Sequence, residues 1–317
     1  MSIRVAFCGN DAWSVPPLEA IAGDAELEVV SVVTNPPKPA GRGSQPRATA
    51  VAATARRLEL PLVEVDGVRG GAGLDALHAA VPDVLVVVAY GELLNRDVLE
   101  LAPMGALNLH FSLLPRWRGA APVTHALLAG DDLTGVTVMR MDEGLDTGPI
   151  LSQLEDAVRP EDDAGSLGER LAGLGAMLLV GVLRTLTSGG PPERTQDEGS
   201  VTLAPRLGPE DRHLRWNEPA EPIVRRVRAM SPEPGATTSL RGNAIKVLAA
   251  GVAHDRLGRL DWDAPPGSIL AHDARGVLVR AGEAGVRLLE VAAAGRKRMT
   301  AAEWARGARF SNDDHLG

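Results

Sequence analysis

Short runs of β-branched and apolar residues alternate with segments of helical periodicity over the first half of the chain. The runs cover Ile3 to Cys8, Leu27 to Thr34 and Val84 to Ala89. Such alternation is typical of βαβ units, which build a parallel sheet. The run from Val84 to Ala89 is apolar at every position, as expected for a central strand covered on both faces. The pattern therefore predicts an α/β fold.

The pattern changes after a long apolar segment, where residues rich in Gly, Pro and charge begin near Ser188. Composition of this kind is typical of a linker. Short strand-like runs with Gly or Pro between them follow at 244–249, 268–271, 276–280 and 285–291. Regular short strands separated by turns indicate a small β-barrel or sandwich. We predict a first domain at 1–189, a linker at 190–208 and a second domain at 209–317.

Two apolar segments could be mistaken for targeting or membrane sequences. The first, at the N-terminus, is too short for a signal peptide and predicts a strand. The second runs from Leu171 to Leu183 between Arg170 and Arg184, which is shorter than the roughly 20 residues needed to cross a bilayer. A buried helix explains it better, so we expect a soluble protein with no membrane partner.

Charge is distributed unevenly along the 317 residues. The formal net charge is −8, which argues against nucleic-acid binding through bulk positive charge. Residues 1–205 carry −12 and residues 206–317 carry +4. The second part contains the basic clusters 225–228 and 296–298, which could face a polyanion. For 225–228 we favour the solvated face of a helix that buries Ile223, Val224 and Val227.

Composition excludes several classes of site. A single cysteine rules out a disulfide framework, a cysteine zinc site and an iron–sulfur cluster, and it fits a reducing cytoplasm. Aromatic residues make up 3% of the chain, so binding of single strands through rows of stacked bases is not expected. The segment from Asn35 to Arg47 has four prolines and three basic residues, which predicts an exposed, mobile loop. Its length leaves a functional and a purely connecting role equally open.

The densest polar stretch runs from Gly105 to Ile150. Asn108 and His110 are two positions apart at a predicted strand end, so their side chains point to the same side. An amide and an imidazole that face one point can stabilise an oxygen that gains negative charge in acyl transfer. Asp146 follows the predicted strand Thr134 to Met141. If that strand runs alongside in the parallel sheet, Asp146 lies at the same sheet edge, where it could orient His110 and accept a proton.

Taken alone, each of these three residues is better explained as a cap, a packed side chain or a turn residue. The longer motifs NLHFSLLPRWRGAAPVTHALLAG and TGVTVMRMDEGLDTGPIL change this interpretation. Together with SVPPLEA, TNPPKPAGRG, PDVLVVVAYGELL, RAMSPEPGATT, PGSIL and AAAGRKRMTAAEWARGAR, they resemble the formyltransferase family that uses 10-formyltetrahydrofolate. The resemblance covers nearly the whole chain and is strongest to the members that formylate methionyl-tRNA.

The resemblance implies a Rossmann-like, mostly parallel sheet domain followed by a small OB-like β-barrel domain that contacts tRNA. It also implies a catalytic trio, a folate site and a tRNA-binding loop. The implied catalytic residues are Asn108, His110 and Asp146. The implied folate contacts are Ser112, Leu113, Leu114, Pro115, Tyr90 and Gly91. The implied tRNA contacts are Lys38, Arg42 and Arg47.

The reaction that the resemblance implies is formyl transfer from 10-formyltetrahydrofolate to the α-amino group of initiator methionyl-tRNA. No metal is implied, and we expect a cytoplasmic monomer. One alternative keeps the chemistry but changes the acceptor to an amino sugar nucleotide or a ribosylglycinamide. Another is an RNA-binding or regulatory protein on a relict catalytic fold, against which the presence of all three polar residues argues.

Two positions depart from the family pattern. Asn10 and Asp11 stand where the family commonly has Thr-Pro after Gly9, and Phe111 stands where a small residue between the His and the Ser is common. The first departure affects the turn at the sheet edge, and the second puts a bulky ring beside the active centre. Neither removes a catalytic group.

Overall fold

A seven-stranded sheet forms the centre of the N-terminal half in a computed structural model, which describes residues 2–40, 45–253, 262–311 and 314–317. The strands of this half are β1 (Ile3–Gly9), β2 (Leu27–Thr34), β3 (Lys38–Ala40), β4 (Gln45–Arg47), β5 (Leu62–Glu64), β6 (Val84–Val88), β7 (Ala106–His110), β8 (Leu133–Arg140) and β9 (Ile150–Ala157). The sheet order is β5-β2-β1-β6-β7-β8-β9. It is parallel from β5 to β7 and antiparallel at β8 and β9.

This topology confirms the predicted Rossmann-like, mostly parallel sheet. Every residue of β6 is buried, as the uninterrupted apolar run predicts, because β6 lies between β1 and β7 and both its faces are covered. Helices connect the strands. Their bounds are α1 (Val15–Ala22), α2 (Ala50–Arg57), α3 (Gly71–Ala80), α4 (Arg96–Leu99), α5 (Pro122–Ala129) and α6 (Ala164–Thr185).

The predicted mobile loop at Asn35 to Arg47 is partly ordered as strands. Strands β3 and β4 pair antiparallel with each other, and Lys38 and Arg47 are register partners. Both of these basic residues are exposed. The segment is therefore an exposed basic hairpin, while Arg42 lies outside the described residues.

The long apolar segment forms helix α6, and only part of its circumference is covered. Leu171, Leu179 and Leu183 are fully buried, whereas Met177 is 63% exposed. By length and composition, the helical stretch Ala164–Ser188 is long and apolar enough to cross a membrane. The side chains buried within the protein show that α6 contributes one face to the core.

The chain packs as two compact units. The first comprises Met1–Pro122, Leu133–Ala157 and Gly168–Pro205, and the second comprises Val123–Asp132, Val158–Leu167 and Arg206–Gly317. Most residues of the predicted linker thus belong to the first unit. The predicted boundaries at 189 and 209 stay a prediction.

The second unit is built on an antiparallel sheet, as the short C-terminal runs predict. Its elements are α7 (Ala220–Met230), β10 (Ala236–Leu240), β11 (Asn243–Ala253), β12 (Ile269–Asp273), β13 (Gly276–Arg280), β14 (Gly285–Ala293), β15 (Met299–Thr300) and α8 (Ala301–Ala308). In the described part of the chain, the strand pairs form the open path β10-β11-β14-β13-β12, with β15 beside β14. Helices α7 and α8 contribute buried side chains to the core of this unit.

The arginines of α7 are held by hydrogen bonds within the second unit. Ile223, Val224 and Val227 of this helix are buried as predicted. Arg226 pairs with Glu218, and the Arg228 guanidinium donates to two backbone carbonyls at 2.6 Å. Because these groups already have partners, the interpretation of 225–228 as a surface for a polyanion is not supported. The second basic cluster, 296–298, is exposed.

Candidate active site

Strand β7 positions the first two candidate catalytic side chains. It lies between β6 and β8, and its five residues are all buried. Asn108 is 9% exposed and His110 is 5% exposed. Because alternate residues of a strand face the same side, both side chains lie on one face at the end of β7, as the spacing predicts.

The His110 ring is oriented by a backbone carbonyl. Its Nε2 lies 2.8 Å from the carbonyl oxygen of Trp117. A carbonyl only accepts, so Nε2 carries the hydrogen and Nδ1 is left for proton transfer. Trp117 has a φ of +60°, and its own N–H donates to the Thr202 hydroxyl at 2.8 Å. The orienting group was missed at the sequence level because a backbone carbonyl leaves no signal in the residue type.

The third candidate, Asp146, is brought to the same point by a loop. Its Oδ2 lies 3.7 Å from His110 Nδ1, and its Oδ1 accepts a hydrogen bond from Asn108 Nδ2 at 3.4 Å. The backbone N–H of Gly119 donates to Oδ2 at 2.8 Å. An amide, an imidazole and a carboxylate thus meet in one place, and both the amide and the imidazole are buried.

The reason given at the sequence level for placing Asp146 there is wrong. Strand β8 runs antiparallel to β7, so its last residue, Arg140, pairs with Leu107 at the start of β7. The loop 141–149 must therefore double back over about three residues of strand, on the order of 10 Å, to bring Asp146 to His110. Asp146 lies in this loop with a φ of +54°.

The predicted folate segment 112–115 is fixed by side chains of β8 and β9. Ser112 is fully buried, and its hydroxyl donates to the Arg116 carbonyl at 2.6 Å, so the hydroxyl is used internally. Thr137 bridges the segment because it donates to the Ser112 carbonyl and accepts from the Leu114 N–H. Gln153 donates to the Leu114 carbonyl at 2.9 Å.

Two of the segment's side chains border an open depression. Leu113 and Leu114 line this depression of about 560 Å³ together with residues of β9 and with Pro192 and Arg194. Pro115, the last of the four, is partly exposed. The segment therefore presents apolar side chains and backbone, while its hydroxyl group faces inward.

Tyr90 and Gly91 follow β6, the strand next to β7. The Tyr90 ring is 5% exposed and packs in the core cluster that also contains Cys8 and Leu94. Burial raises the pKa of the Tyr90 hydroxyl above its ordinary value, and Cys8 and Glu92 add to the shift. Gly91 is exposed, with a φ of +84°. This arrangement leaves the backbone at these two positions as the part that can contact a ligand.

Asn10, one of the two departures from the family pattern, ties three strand ends together. Its Nδ2 donates to the Tyr90 carbonyl at 2.5 Å, while its Oδ1 accepts from the Thr34 hydroxyl and the Asn35 N–H. The loops after β1, β2 and β6 thus share one side chain.

Phe111, the other departure, packs away from the polar centre. Its ring meets the Trp13 ring edge-on with centroids 5.8 Å apart. A side chain at Gly168 would overlap the Trp13 indole, so the glycine in α6 leaves the space that this ring fills. Phe111 is 5% exposed. The Phe111 ring is therefore accommodated by packing against Trp13 in the core.

The segment predicted as a linker supplies a buried side chain, Gln196, behind the site, where it meets the buried Arg118. Gln196 is 5% exposed and Arg118 is 4% exposed. The Gln196 amide donates to the backbone carbonyls of Asp146 and Gly148, and its Oε1 accepts from Arg118. The Gly and Pro content around 190–193 hid this role, because the contacts depend on how the segment packs after α6.

Metal-ligating side chains are not clustered in the described residues. Within residues 2–40, 45–253, 262–311 and 314–317, no group of three or more His, Cys, Asp or Glu side chains could hold a metal ion. The three candidate catalytic groups supply hydrogen-bond donors, a ring nitrogen and a carboxylate, which are suited to acyl transfer with proton movement.

Comparisons with known proteins cover both parts of the chain. A family profile described as "Formyl transferase" matches residues 4–183, and a profile described as "Formyl transferase, C-terminal domain" matches residues 206–309. The chain is 42% identical over 317 residues to methionyl-tRNA formyltransferase of Roseiflexus castenholzii, and the match covers 100% of each chain. It is 43% identical to methionyl-tRNA formyltransferase of Thermus thermophilus, with 99% of each chain covered.

Solved structures agree on the fold. HypX from Aquifex aeolicus in complex with tetrahydrofolic acid has a TM-score of 0.64 and 16% identity, covering 96% of this chain and 47% of HypX. The chain thus spans about half the length of HypX, and at this identity the likeness shows the fold alone.

Proposed function

The chain belongs to the formyl transferase family, and on that premise we propose that it transfers the formyl group of 10-formyltetrahydrofolate to the α-amino group of methionyl-tRNA. The relatives that match over their full length are methionyl-tRNA formyltransferases. The observation that carries the chemistry is the meeting of Asn108, His110 and Asp146, with Oδ2 of the carboxylate 3.7 Å from His110 Nδ1. We assign these three residues as catalytic.

The reaction begins when the amine nitrogen attacks the formyl carbon. The new C–N bond converts the formyl oxygen into an oxyanion, which Asn108 and protonated His110 stabilise as hydrogen-bond donors. A free α-amino group titrates near about pH 8, so a useful fraction is neutral and nucleophilic at cellular pH. Breaking the bond between the formyl carbon and N10 then releases tetrahydrofolate.

We assign to His110 and Asp146 the transfer of the proton that the attacking amine loses. Because Nε2 of His110 is committed to the Trp117 carbonyl, Nδ1 is the nitrogen that exchanges a proton. The carboxylate of Asp146 faces Nδ1 across 3.7 Å, so it can orient the ring and accept a proton from it. The proton lost by the attacking amine passes through these groups to the leaving N10, which restores the site.

The folate is assigned to the surface around Ser112, Leu113, Leu114 and Pro115, with Tyr90 and Gly91 at the neighbouring strand end. Leu113 and Leu114 offer apolar contacts, whereas Tyr90 and Gly91 offer backbone groups because the Tyr90 ring lies in the core. Both segments follow strands adjacent to each other in the sheet. This adjacency supports one binding surface next to His110.

The tRNA is assigned to the basic hairpin and to the C-terminal part of the chain. Lys38 and Arg47 are exposed register partners on β3 and β4, and Arg42 stands between them in sequence. Lys38 and Arg47 on this hairpin provide phosphate contacts that do not require aromatic stacking, and we assign Arg42 the same role. We assign residues 1–189 to catalysis and 209–317 to tRNA contact, with initiator tRNA as substrate and a cytoplasmic monomer as the working form.

The alternative acceptors, amino sugar nucleotides and ribosylglycinamide, are not favoured. The full-length relatives at 42–43% identity are methionyl-tRNA formyltransferases. A Helicobacter canadensis N-formyltransferase, in complex with folinic acid and dTDP-3-aminofucose, is 15% identical. That identity supports a shared fold and not a shared acceptor.

The test compares two acceptors in separate reactions. Purified protein is incubated with 10-formyltetrahydrofolate and either methionyl-tRNA or a free amino sugar nucleotide, and formylated product is measured by mass. We expect product with methionyl-tRNA alone. Formylation of the sugar nucleotide with none of the tRNA would contradict the assigned acceptor, and no product with either would contradict the assigned reaction.

A further inference from the structure

Asp146 occupies a loop that carries little support of its own. Four consecutive residues before it, at 142–145, are exposed. Within the loop, the Asp142 carboxylate accepts from the Gly144 N–H and the Thr147 hydroxyl, which closes a local turn. These bonds shape the loop but do not fix it against the strand that carries Asn108 and His110. The position of the carboxylate must therefore depend on contacts from outside the loop.

Gln196 supplies such contacts. Its Nε2 donates to the Asp146 carbonyl at 2.7 Å and to the Gly148 carbonyl at 2.8 Å, on either side of Thr147. Both hydrogens of the amide nitrogen are thereby used. Gln196 is 5% exposed, so water is largely excluded from these bonds.

Arg118 fixes which way the Gln196 amide points. Its Nε donates to Gln196 Oε1 at 3.0 Å, and its two terminal nitrogens donate to the Glu198 carboxylate. If the amide were turned over, its oxygen would face two carbonyls and its nitrogen would face a guanidinium, so every contact would be repulsive. The orientation with two donors toward the loop follows from the network.

The same network reaches the other end of Asp146. Gly119, next in sequence to Arg118, donates its N–H to the Asp146 carboxylate at 2.8 Å. The Arg118 backbone is in turn paired with Thr202 and Ala204. The buried pair of Arg118 and Gln196 therefore holds the backbone carbonyl of Asp146. Gly119, which holds the Asp146 carboxylate, is the next residue after Arg118. Neither end of Asp146 can shift without breaking hydrogen bonds in this network.

We propose that Gln196 is a positioning residue for the reaction: through two hydrogen bonds to the loop 141–149, it holds the Asp146 carboxylate in place opposite His110. The proposal rests on the catalytic role assigned to Asp146. Gln196 acts through Asp146 and does not touch the substrates. Its effect belongs to the chemical step, so it alters kcat and leaves KM for folate and for tRNA nearly unchanged.

The first test is Gln196→Met, which keeps the length of the side chain and removes both donors. We expect kcat to fall about 10- to 100-fold, since a misplacement of about 1 Å can cost 10²-fold. Both KM values should stay within about threefold of wild type, because neither binding surface is altered. A loss confined to KM, or a wild-type kcat, would overturn the proposal. If Gln196→Met does not fold, Gln196→Glu replaces it, because the carboxylate keeps an acceptor for Arg118 and opposes the two carbonyls with an oxygen.

The second test separates positioning from general damage by a double-mutant cycle. In single-turnover assays with labelled formyl donor, Gln196→Met or Gln196→Glu should change the rate less than about twofold once Asp146→Ala is present. The matched control is Gln153→Met, since Gln153 also donates from Nε2 to two oxygens, those of Leu114 and Thr137. Its effect should persist in the Asp146→Ala background. If the Gln196 effect persists equally, Gln196 is a general structural residue and the proposal fails.

The third test is independent of activity. Hydrogen exchange in the free protein should speed up about 10-fold or more at residues 142–149 in the Gln196 variant and remain unchanged in β7. Faster exchange in a protein that formylates no methionyl-tRNA would support the anchoring of the loop and refute the proposed function. Unchanged exchange together with unchanged kcat in an active protein would refute the anchoring alone.

Discussion

The strand that carries Asn108 and His110 and the loop that carries Asp146 show two different ways of placing a proposed catalytic group. Strand β7 is buried along its length and hydrogen-bonded on both sides, to β6 and to β8. The loop 141–149 leaves residues 142–145 exposed. In β7 the hydrogen bonds between strands fix the positions of the side chains. In the loop, a few hydrogen bonds from residues distant in sequence fix the position of Asp146.

The difference determines how easily a mutation displaces each side chain. A side chain on a central strand is displaced only if the sheet is disturbed, which would destabilise the whole unit. A carboxylate on an exposed loop can be displaced at much lower cost, and so its position is sensitive to single contacts such as the hydrogen bond from Gly119. Loss of the strand side chains should therefore lower the rate most, whereas changes in loops should lower it less.

The largest expected effect comes from the strand side chains. His110→Ala and Asn108→Ala should each lower kcat by about 10²- to 10³-fold, because each removes a donor from the developing oxyanion. The fold should remain intact, which circular dichroism and thermal melting will check. Wild-type turnover in either variant would show that the strand does not carry the catalytic donors.

The next effect comes from the loop backbone. Gly148→Ala should lower kcat by about 10-fold or more, since a Cβ there would overlap the Arg140 carbonyl oxygen and shift the loop that bears Asp146 by a fraction of an ångström to an ångström. The matched control is Gly173→Ala on the exposed face of α6, where nothing lies within 4 Å of the added carbon.

Gly173→Ala should keep full activity and stabilise the protein by about 0.5–1 kcal/mol, because alanine favours the helix. Steady-state kinetics and urea melts of both glycine variants measure these effects. An unaffected kcat in Gly148→Ala would mean that the loop tolerates displacement, contrary to the comparison with β7.

A smaller effect is expected from the basic hairpin, an exposed segment to which we assign contact with the tRNA and no part in the chemistry. Lys38→Ala and Arg47→Ala should each lower kcat/KM for methionyl-tRNA several-fold, with KM for folate unchanged. Each should also reduce the slope of log kcat/KM against log salt by about 0.7 to 0.9, because one phosphate contact is lost. Arg57→Ala, an exposed arginine paired with Glu19 on the neighbouring helices, is the control. Equal salt slopes for all three variants would contradict the assigned role.

The smallest effect concerns Cys8 of the buried strand β1 and changes only the free energy of unfolding. Burial raises the pKa of the Cys8 thiol, so the folded protein keeps this proton at a pH where the unfolded chain, titrating near about pH 8.5, loses it. The free energy of unfolding should therefore fall as the pH rises above that value, by up to about 1.4 kcal/mol per pH unit. Urea melts between pH 7 and pH 10 should show a shallower fall for Cys8→Ala. Identical slopes for both proteins would rule out Cys8 as the source.

The fold was largely predictable because its signals are local. The continuous apolar run at β6 and the alternation of strands and helices follow from side-chain burial on each element, and the structure has them. The direction of β8 was not predictable in this way. A strand carries the same pattern whether it pairs parallel or antiparallel, so the antiparallel edge and the doubling back of the loop 141–149 are set by long-range pairing.

The site was predictable to a similar degree. The spacing of Asn108 and His110 predicts a shared face because strand periodicity is local. The roles of Trp117 and Gln196 were not predictable, since one contributes a carbonyl and the other lies in a segment with the composition of a linker. The same holds for Arg228 of α7, whose partners, the carbonyls of 159 and 162, are distant in sequence.

The sequence by itself determined the family, the sheet class and the chemical groups of the site, because residue types and their spacing are recorded directly in the chain. Only the tertiary structure decided how those groups are held. It made β8 antiparallel, turned the hydroxyl of Ser112 and the ring of Tyr90 into the interior, and brought Gln196 behind Asp146. The physical reason is that hydrogen bonds and burial join residues from distant parts of the chain, and no local pattern specifies such partners.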